Sequence, residues 1–401
     1  MKKLLAILLV LALGSASLVG CNKSTSSADD EDPTKNNTEN VTPEEKTEDE
    51  HTVEELAYTL SEDGSYYIVS GIGSFSGTEV VIPSTYKDLP VTTIGSHAFT
   101  LKETITGITL GENISTIEDE AFTLCTSLKS FYIPAGVTSI GKYVFTDCSS
   151  LTEITVNENN PIYKSVDGNL YTKDGKTLLQ YAAGNTRTSF TVPEEVVTID
   201  EAAFCRTTKL TDLIIPGNVK KIGANAVSNC TNLINVTISE GLTDIGTAAF
   251  VACTNLKSIS IPDSVTNIGS HVFLNCSGLE SVTLGSGITQ ITEEMFWGCK
   301  RIIHFVISDK IESIGKSAFA YSSICNIVIY DSVTTVAENA FISCNLLSCV
   351  YYFGTEEEWN QINVGMGNEH LEGATRYYYS ETEPASVGNY WHFVDGEAVA
   401  W

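Results

Sequence analysis

One spacing governs this chain. Phenylalanine recurs at Phe99, Phe122, Phe145, Phe204, Phe250, Phe273, Phe296, Phe319 and Phe341, with Val227 in the same place between Phe204 and Phe250. Most steps are 23 residues, one is 59 and the last is 22. Other positions move in register. Ile117, Ile140, Ile199, Ile222, Ile245, Ile268, Ile291 and Ile314 each stand five before that position. Cys125, Cys148, Cys230, Cys253, Cys276, Cys299 and Cys344 stand three after it, and Leu128, Leu151, Leu210, Leu233, Leu256 and Leu279 six after. A unit this short cannot bury its own apolar side, so the units must stack and share one continuous core.

The local pattern says how they stack. Leu-x-x-Ile-x-Ile ends with the period of two of a short strand, and Pro134, Pro216 and Pro262 end that strand and turn the chain. Strands in neighbouring coils lie about 4.8 Å apart, so ten coils make a body roughly 50 Å long. The phenylalanines are expected to form one internal stack and the isoleucines another. The 59-residue step is one coil plus an insertion at about 157–190, with turns at Asp167-Gly168 and Asp174-Gly175 and a return to the stack at Phe190.

The unit resembles the leucine-rich repeats of BspA-like bacterial surface proteins, also found in treponemal repeat proteins. The likeness runs from about 55 to 401 and includes Pro161-Ile162-Tyr163-Lys164-Ser165-Val166-Asp167-Gly168-Asn169-Leu170-Tyr171, an insertion that recurs in that family. It implies a β-rich (α/β repeat) solenoid with capped ends. It also implies a surface role in adhesion or recognition, with no cofactor and no fixed ligand. The partner would be a protein or glycan of a host, a matrix or a neighbouring cell.

The flanks fit that expectation. Met1-Lys2-Lys3, an apolar run from Leu4 to Leu13 and Leu18-Val19-Gly20-Cys21 read as a lipoprotein signal over 1–20, with Cys21 as the lipidated residue. Residues 21–54 are acidic and nearly free of large apolar side chains, the composition of a disordered tether. Together these expect a protein held by lipid on the outer face of a bacterial cell membrane. Residues 55–92 read as an N-terminal cap and 93–354 as the solenoid. Residues 355–401 read as a C-terminal cap, with a capping box at Thr355 and Glu358 and a hairpin turning at Asp395-Gly396.

Charge and chemistry narrow the function. A formal net charge of −27 with scattered Lys and Arg argues against nucleic acid. The six histidines are dispersed, and no metalloprotease, nucleophile-elbow or phosphate-loop motif occurs, so no enzyme is expected. Seven of eleven cysteines share one repeat position, which reads as a buried ladder of free thiols rather than a metal site or a disulfide set.

Binding is then expected on the outward rows of the stacked strands. One row is Thr109, Tyr132, Thr155, Ile214, Thr237, Ser260, Thr283, Val306, Val328 and Tyr351; the other includes Ser130, Glu153, Asp212, Asn235, Ser258, Ser281, His304 and Asn326. Tyr132, Glu153, Asp212, Asn235, His304 and Tyr351 are the candidate contacts. An alternative glycan platform would use Tyr390 and Trp391, against the reading, preferred for these terminal aromatics, that they pack the last coil. Three functions stay open: an adhesin-like recognition module, a carbohydrate-capturing lipoprotein, and a structural envelope component.

Overall fold

The computed structural model describes residues 55–385 and 388–401. The signal segment, Cys21 and the acidic tether lie outside the described residues.

The 23-residue period becomes one turn of a β-solenoid, with about 14 turns in all. This exceeds the expected ten, because the insertion and both caps also supply coils. Each coil contributes one strand to a front sheet and a two-residue strand to a back sheet, both parallel to the next coil. Asp212–Ile215 pairs with Asn235–Ile238 in front, and Lys221–Ile222 pairs with Asp244–Ile245 behind. The repeats carry turns where a helix-bearing repeat would have helices. Within the repeats the described residues form no helix, and the helices Glu356–Trp359 and Glu369–Gly373 lie in the closing segment.

The third wall is the turn strip around each phenylalanine. Two residues per coil, two before and two after the ring, have positive φ: His97 and Leu101, Asn225 and Asn229, His271 and Asn275. Left-handed backbone costs roughly 1–2 kcal/mol per ordinary residue. The return is a ladder between coils. The Phe250 N–H donates to Val272 O at 3.0 Å, Phe273 to Met295 O at 3.0 Å and Phe296 to Ala318 O at 2.8 Å.

Packing follows the register. Rings stack coil on coil, Phe250 on Phe273 at 5.8 Å, Phe273 on Phe296 at 5.7 Å and Phe296 on Phe319 at 5.3 Å. Each pair adds about 0.5–1.5 kcal/mol beyond the area it buries. The cysteine ladder is present, and all seven thiols are buried and free. They also do more than fill space. Each Sγ–H donates to the carbonyl of the residue at the ring position one coil earlier, at 3.0–3.2 Å from Cys125 to Phe99 through Cys344 to Phe319. Six of these carbonyls also accept the backbone N–H three residues on, so the thiol is a second donor there, while Val227 O has only the Cys253 thiol among the described residues.

The insertion forms a hairpin of Tyr163–Val166 and Asn169–Thr172, followed by Thr177–Gln180, which rejoins the back sheet beside Thr198–Ile199. Ser189–Thr191 then resumes the front sheet, as the return at Phe190 required. Tyr181, 23 residues before Phe204, takes the ring position of the inserted coil, and its N–H donates to Ala203 O at 2.8 Å.

Both ends are closed. Ala57–Leu60 and Tyr67–Gly71 form a hairpin on the back sheet, and Glu79–Val81 opens the front sheet beside Gly107–Thr109. At the far end Thr355 and Glu358 cap each other's backbone. The carboxamide oxygen of buried Asn368 accepts from Phe341 N at 3.0 Å, while its Nδ2 donates to Ala337 O and Gly365 O. That one side chain ends the turn-strip ladder. The closing hairpin pairs Tyr390–Val394 with Glu397–Ala400 through Asp395 and Gly396, both at positive φ as a two-residue turn requires.

Candidate binding face

The front sheet sends alternate side chains outward, so its exposed rows run along the whole stack at one strand spacing per coil. Tyr132 is 49% exposed, and its hydroxyl accepts from Asn157 Nδ2 at 2.8 Å. Glu153 is exposed on the next strand, where Thr155 pairs with Tyr132. The two form one patch. Asp212 and exposed Asn235 form a second, because Asn235 Nδ2 donates to Asp212 Oδ1 at 2.7 Å and Thr211 Oγ1 to Asp212 Oδ2 at 2.6 Å. Those bonds, the one from Thr211 first, hold the Asp212 carboxyl below its ordinary range. His304 is exposed, with Nδ1 3.3 Å from Asn326 Nδ2.

The insertion separates the two patches. The Ile154 N–H donates to Gly168 O at 2.8 Å, so the hairpin tip at Asp167-Gly168 sits beside Glu153. Arg187 lies 3.5 Å from Asp167 at the same tip. Neither residue stands out in the repeat pattern, since both belong to the segment that breaks it.

Three residues depart from the expected face. Val328 is 6% exposed, buried between its register partners Val306 and Tyr351. Tyr351 is half-buried, stacked on Tyr377 at 5.3 Å and set edge-on to Trp391. Trp391 is fully buried, which removes it as a sugar platform. Its ring lies among Tyr351, Phe353, Tyr379 and Phe393, and Nε1 donates to Tyr352 O at 2.8 Å. An indole with its N–H satisfied and its face covered is a packing residue. Tyr390, half-buried beside it, presents no open pair of rings.

From Ser189 to Val306 the front face is open. Its hydroxyls at Ser189, Thr191, Thr237, Ser258, Ser260, Ser281 and Thr283 make no side-chain hydrogen bond among the described residues. The other walls spend many of theirs between coils: Thr100 donates to Glu120 O, Thr123 to Tyr143 O and Thr243 to Lys220 O. Sequence alone gives both sets the same residue types; only the alternation of the strand separates them. A shallow groove on the back sheet is lined by Lys221, Asp244, Asn267 and Gln290. No cluster of metal-ligating side chains occurs among the described residues, and no helix among them is long and apolar enough to cross a membrane.

The comparisons with known proteins agree with this architecture. The family model described as BspA type leucine rich repeat region matches six copies, over residues 73–169, 180–303 and 245–357. The chain belongs to the BspA-type leucine-rich-repeat family. The matches skip 170–179, inside the insertion, so the BspA-type repeat is interrupted where the coils are. No curated protein sequence matches the chain. Among solved structures, the pneumococcal vaccine antigen PcpA is 22% identical with a TM-score of 0.52, over 71% of this chain and 65% of that one. The chain therefore spans about 65% of that protein's length. A leucine-rich repeat protein from Eubacterium ventriosum is 21% identical over 68% of this chain and 94% of that one, with a TM-score of 0.45. One from Bacteroides ovatus is 22% identical over 81% and 98%, with a TM-score of 0.39. At such identity the likeness to PcpA is one of fold.

Proposed function

We propose that this BspA-type chain is an adhesin-like recognition module displayed outside a bacterial cell, and that it holds a macromolecular partner on its front face. The observation that carries this reading is the open run from Ser189 to Val306, flanked by the Tyr132–Glu153 patch. There the outward hydroxyls of Ser189, Thr191, Thr237, Ser258, Ser260, Ser281 and Thr283 make no side-chain hydrogen bond among the described residues, while other walls use many of theirs internally. The partner is a protein of a host, a matrix or a neighbouring cell. Tyr132 is the aromatic anchor of the kind that dominates such interfaces. The lipobox at Cys21 and the acidic segment after it support display on a lipid anchor. The chain acts by binding and carries out no chemistry.

The test is a binding screen of the mature chain against arrayed matrix proteins and glycans. A protein partner weakened by Tyr132→Ala and by Glu153→Lys supports the reading. A partner indifferent to both, or silence across the array, removes it. The carbohydrate reading loses the Tyr390–Trp391 platform with Trp391 buried, and a glycan captured on the array would be mapped by Trp401→Ala against substitution of the front hydroxyls.

A further inference from the structure

Three ladders tie coil to coil. Sheet pairing also lapses between Gly107–Thr109 and Ser130–Ile133, between Ser281–Thr283 and His304–Val306 and between Asn267–Ile268 and Gln290–Ile291, but the turn strip holds at those levels. All three ladders stop together at one place. In front, Glu153–Val156 pairs back to Ser130–Ile133, while Ser189–Thr191 pairs only forward to Asp212–Ile215. Behind, Ser139–Ile140 ends one sheet and Thr177–Gln180 joins another, the link being the Ile140 N–H donating to the Tyr163 hydroxyl at 2.9 Å. On the turn strip, Phe122 donates to Val144 O and Tyr181 to Ala203 O. No N–H of Tyr143, Phe145 or Asp147 reaches the next coil among the described residues.

The interior divides at the same level. The buried side chains form two clusters, and the strand Asn169–Thr172 is the partition: Leu170 belongs to one cluster and the adjacent Tyr171 to the other. Phe145 stacks on Phe122 at 6.0 Å and Tyr181 lies 5.2 Å from Phe204, but Phe145 and Tyr181 do not pair. Thr146 Oγ1, Tyr181 OH and Thr207 Oγ1 are buried here without a partner. Gly184 and Thr207 stand where neighbouring coils place the cysteine, and Gln180 Nε2 has taken the Tyr181 carbonyl that Thr207 would have reached.

Two ion pairs bridge this gap. Arg206 Nε lies 2.8 Å from Asp147 Oδ1, and Lys142 Nζ lies 3.0 Å from Glu201 Oε2. Both leap the Tyr181 coil. Pairs elsewhere on the strip join adjacent coils, as His271 with Glu294 and Lys316 with Glu338 do. The contacts that remain on the front side are Ile154 N–H to Gly168 O and Gly184 N–H to Leu151 O, each 2.8 Å, and Val156 N–H to Ser165 Oγ at 3.2 Å.

We infer that residues 157–190 are a hinge between two stacks, pivoting on the front-side contacts and held shut on the turn strip by the Lys142–Glu201 and Arg206–Asp147 pairs. Opening the clasp changes the angle between the Tyr132–Glu153 patch and the Asp212–Asn235 patch. A partner that touches both patches fixes that angle. This consequence for binding rests on the proposed recognition role; the hinge itself does not.

The experiment is hydrogen exchange on the full chain, comparing wild type with D147N/E201Q. The hinge predicts exchange about fivefold faster over 143–151 and 178–185, with 213–340 unchanged. The charge swap K142E/E201K should restore the wild-type rate that E201Q alone loses, which a merely destabilised fold would not do. Exchange that rises uniformly along the chain, or no more at the junction than at the Val227–Phe250 interface, overturns the hinge. A clasp that opens without altering affinity for a captured partner leaves the hinge standing and removes its role in binding.

Discussion

The run of coils from Phe204 to Phe341 and the single coil at Tyr181 are built on the same register but held together differently. In the run, each coil offers the next a ring or Val227, and most add a thiol donor and a turn-strip N–H. In the Tyr181 coil the ring has a neighbour on one side only, Gly184 replaces the thiol and the preceding strip donates nothing across. The lesson is that a solenoid has no cohesion beyond its nearest-neighbour contacts. Where the contact set is edited, the molecule acquires a seam, and ion pairs that skip a coil are what that seam has in exchange.

That contrast can be broken by experiment, beginning with the largest effect. Phe273→Ala should cost about 4 kcal/mol in chemical denaturation, because rings on both sides hold the cavity open. Phe145→Ala should cost less, since its far side faces the seam and can collapse. Equal costs would mean that the two regions do not differ. Asn368→Ala should cost about 3 kcal/mol by leaving Phe341 N, Ala337 O and Gly365 O unpaired, and hydrogen exchange should show the loss confined to the last coils.

The thiols give a smaller and pH-dependent effect. Cys253→Ala should cost about 1–2 kcal/mol, and Cys253→Ser less, because the hydroxyl keeps a donor toward Val227 O. Burial raises the thiols of Cys125, Cys148, Cys230, Cys299 and Cys344, at Cys125 from 9.0 to about 12. Above 9.0 the unfolded chain loses thiol protons that the folded chain keeps. Stability from this source is therefore complete below that value and declines as pH climbs toward about 12. Alkaline unfolding curves measure it. A thiol reagent on the native protein should label half-buried Cys325 and Cys349 and reach the seven ladder thiols only after unfolding. Asp212→Asn is the smallest, leaving the denaturation midpoint essentially unchanged, because the carboxylate meets solvent and its partners can rebond to water.

Much of the architecture was legible because the stack repeats its contacts with the sequence. Phe, Ile and Cys each kept one register, and each proved to be one internal column. The chemistry of the cysteines was less legible: a small apolar reading explains their burial but not the hydrogen bond that each thiol gives to the coil before it. Tyr181 escaped because the insertion breaks the forward count from Phe145, although counting 23 back from Phe204 reaches it. The outward rows were read correctly apart from Val328 and Tyr351. Val328 lies buried between its register partners Val306 and Tyr351. Tyr351 is covered by Tyr377 and Trp391, whose places depend on how the closing segment folds back, a tertiary event with no period. Trp391 is the same case, since its place depends on a carbonyl of Tyr352, 39 residues earlier.

The most direct test of the front-face reading compares two single substitutions on one captured partner. Tyr132→Ala removes an exposed ring from the front face, and Tyr321→Ala removes an equally exposed ring from the turn strip; both side chains are 49% exposed. The account predicts that the first weakens binding about tenfold or more while the second leaves it unchanged. Loss of binding with Tyr321→Ala and not with Tyr132→Ala would place the partner on the turn strip and contradict it.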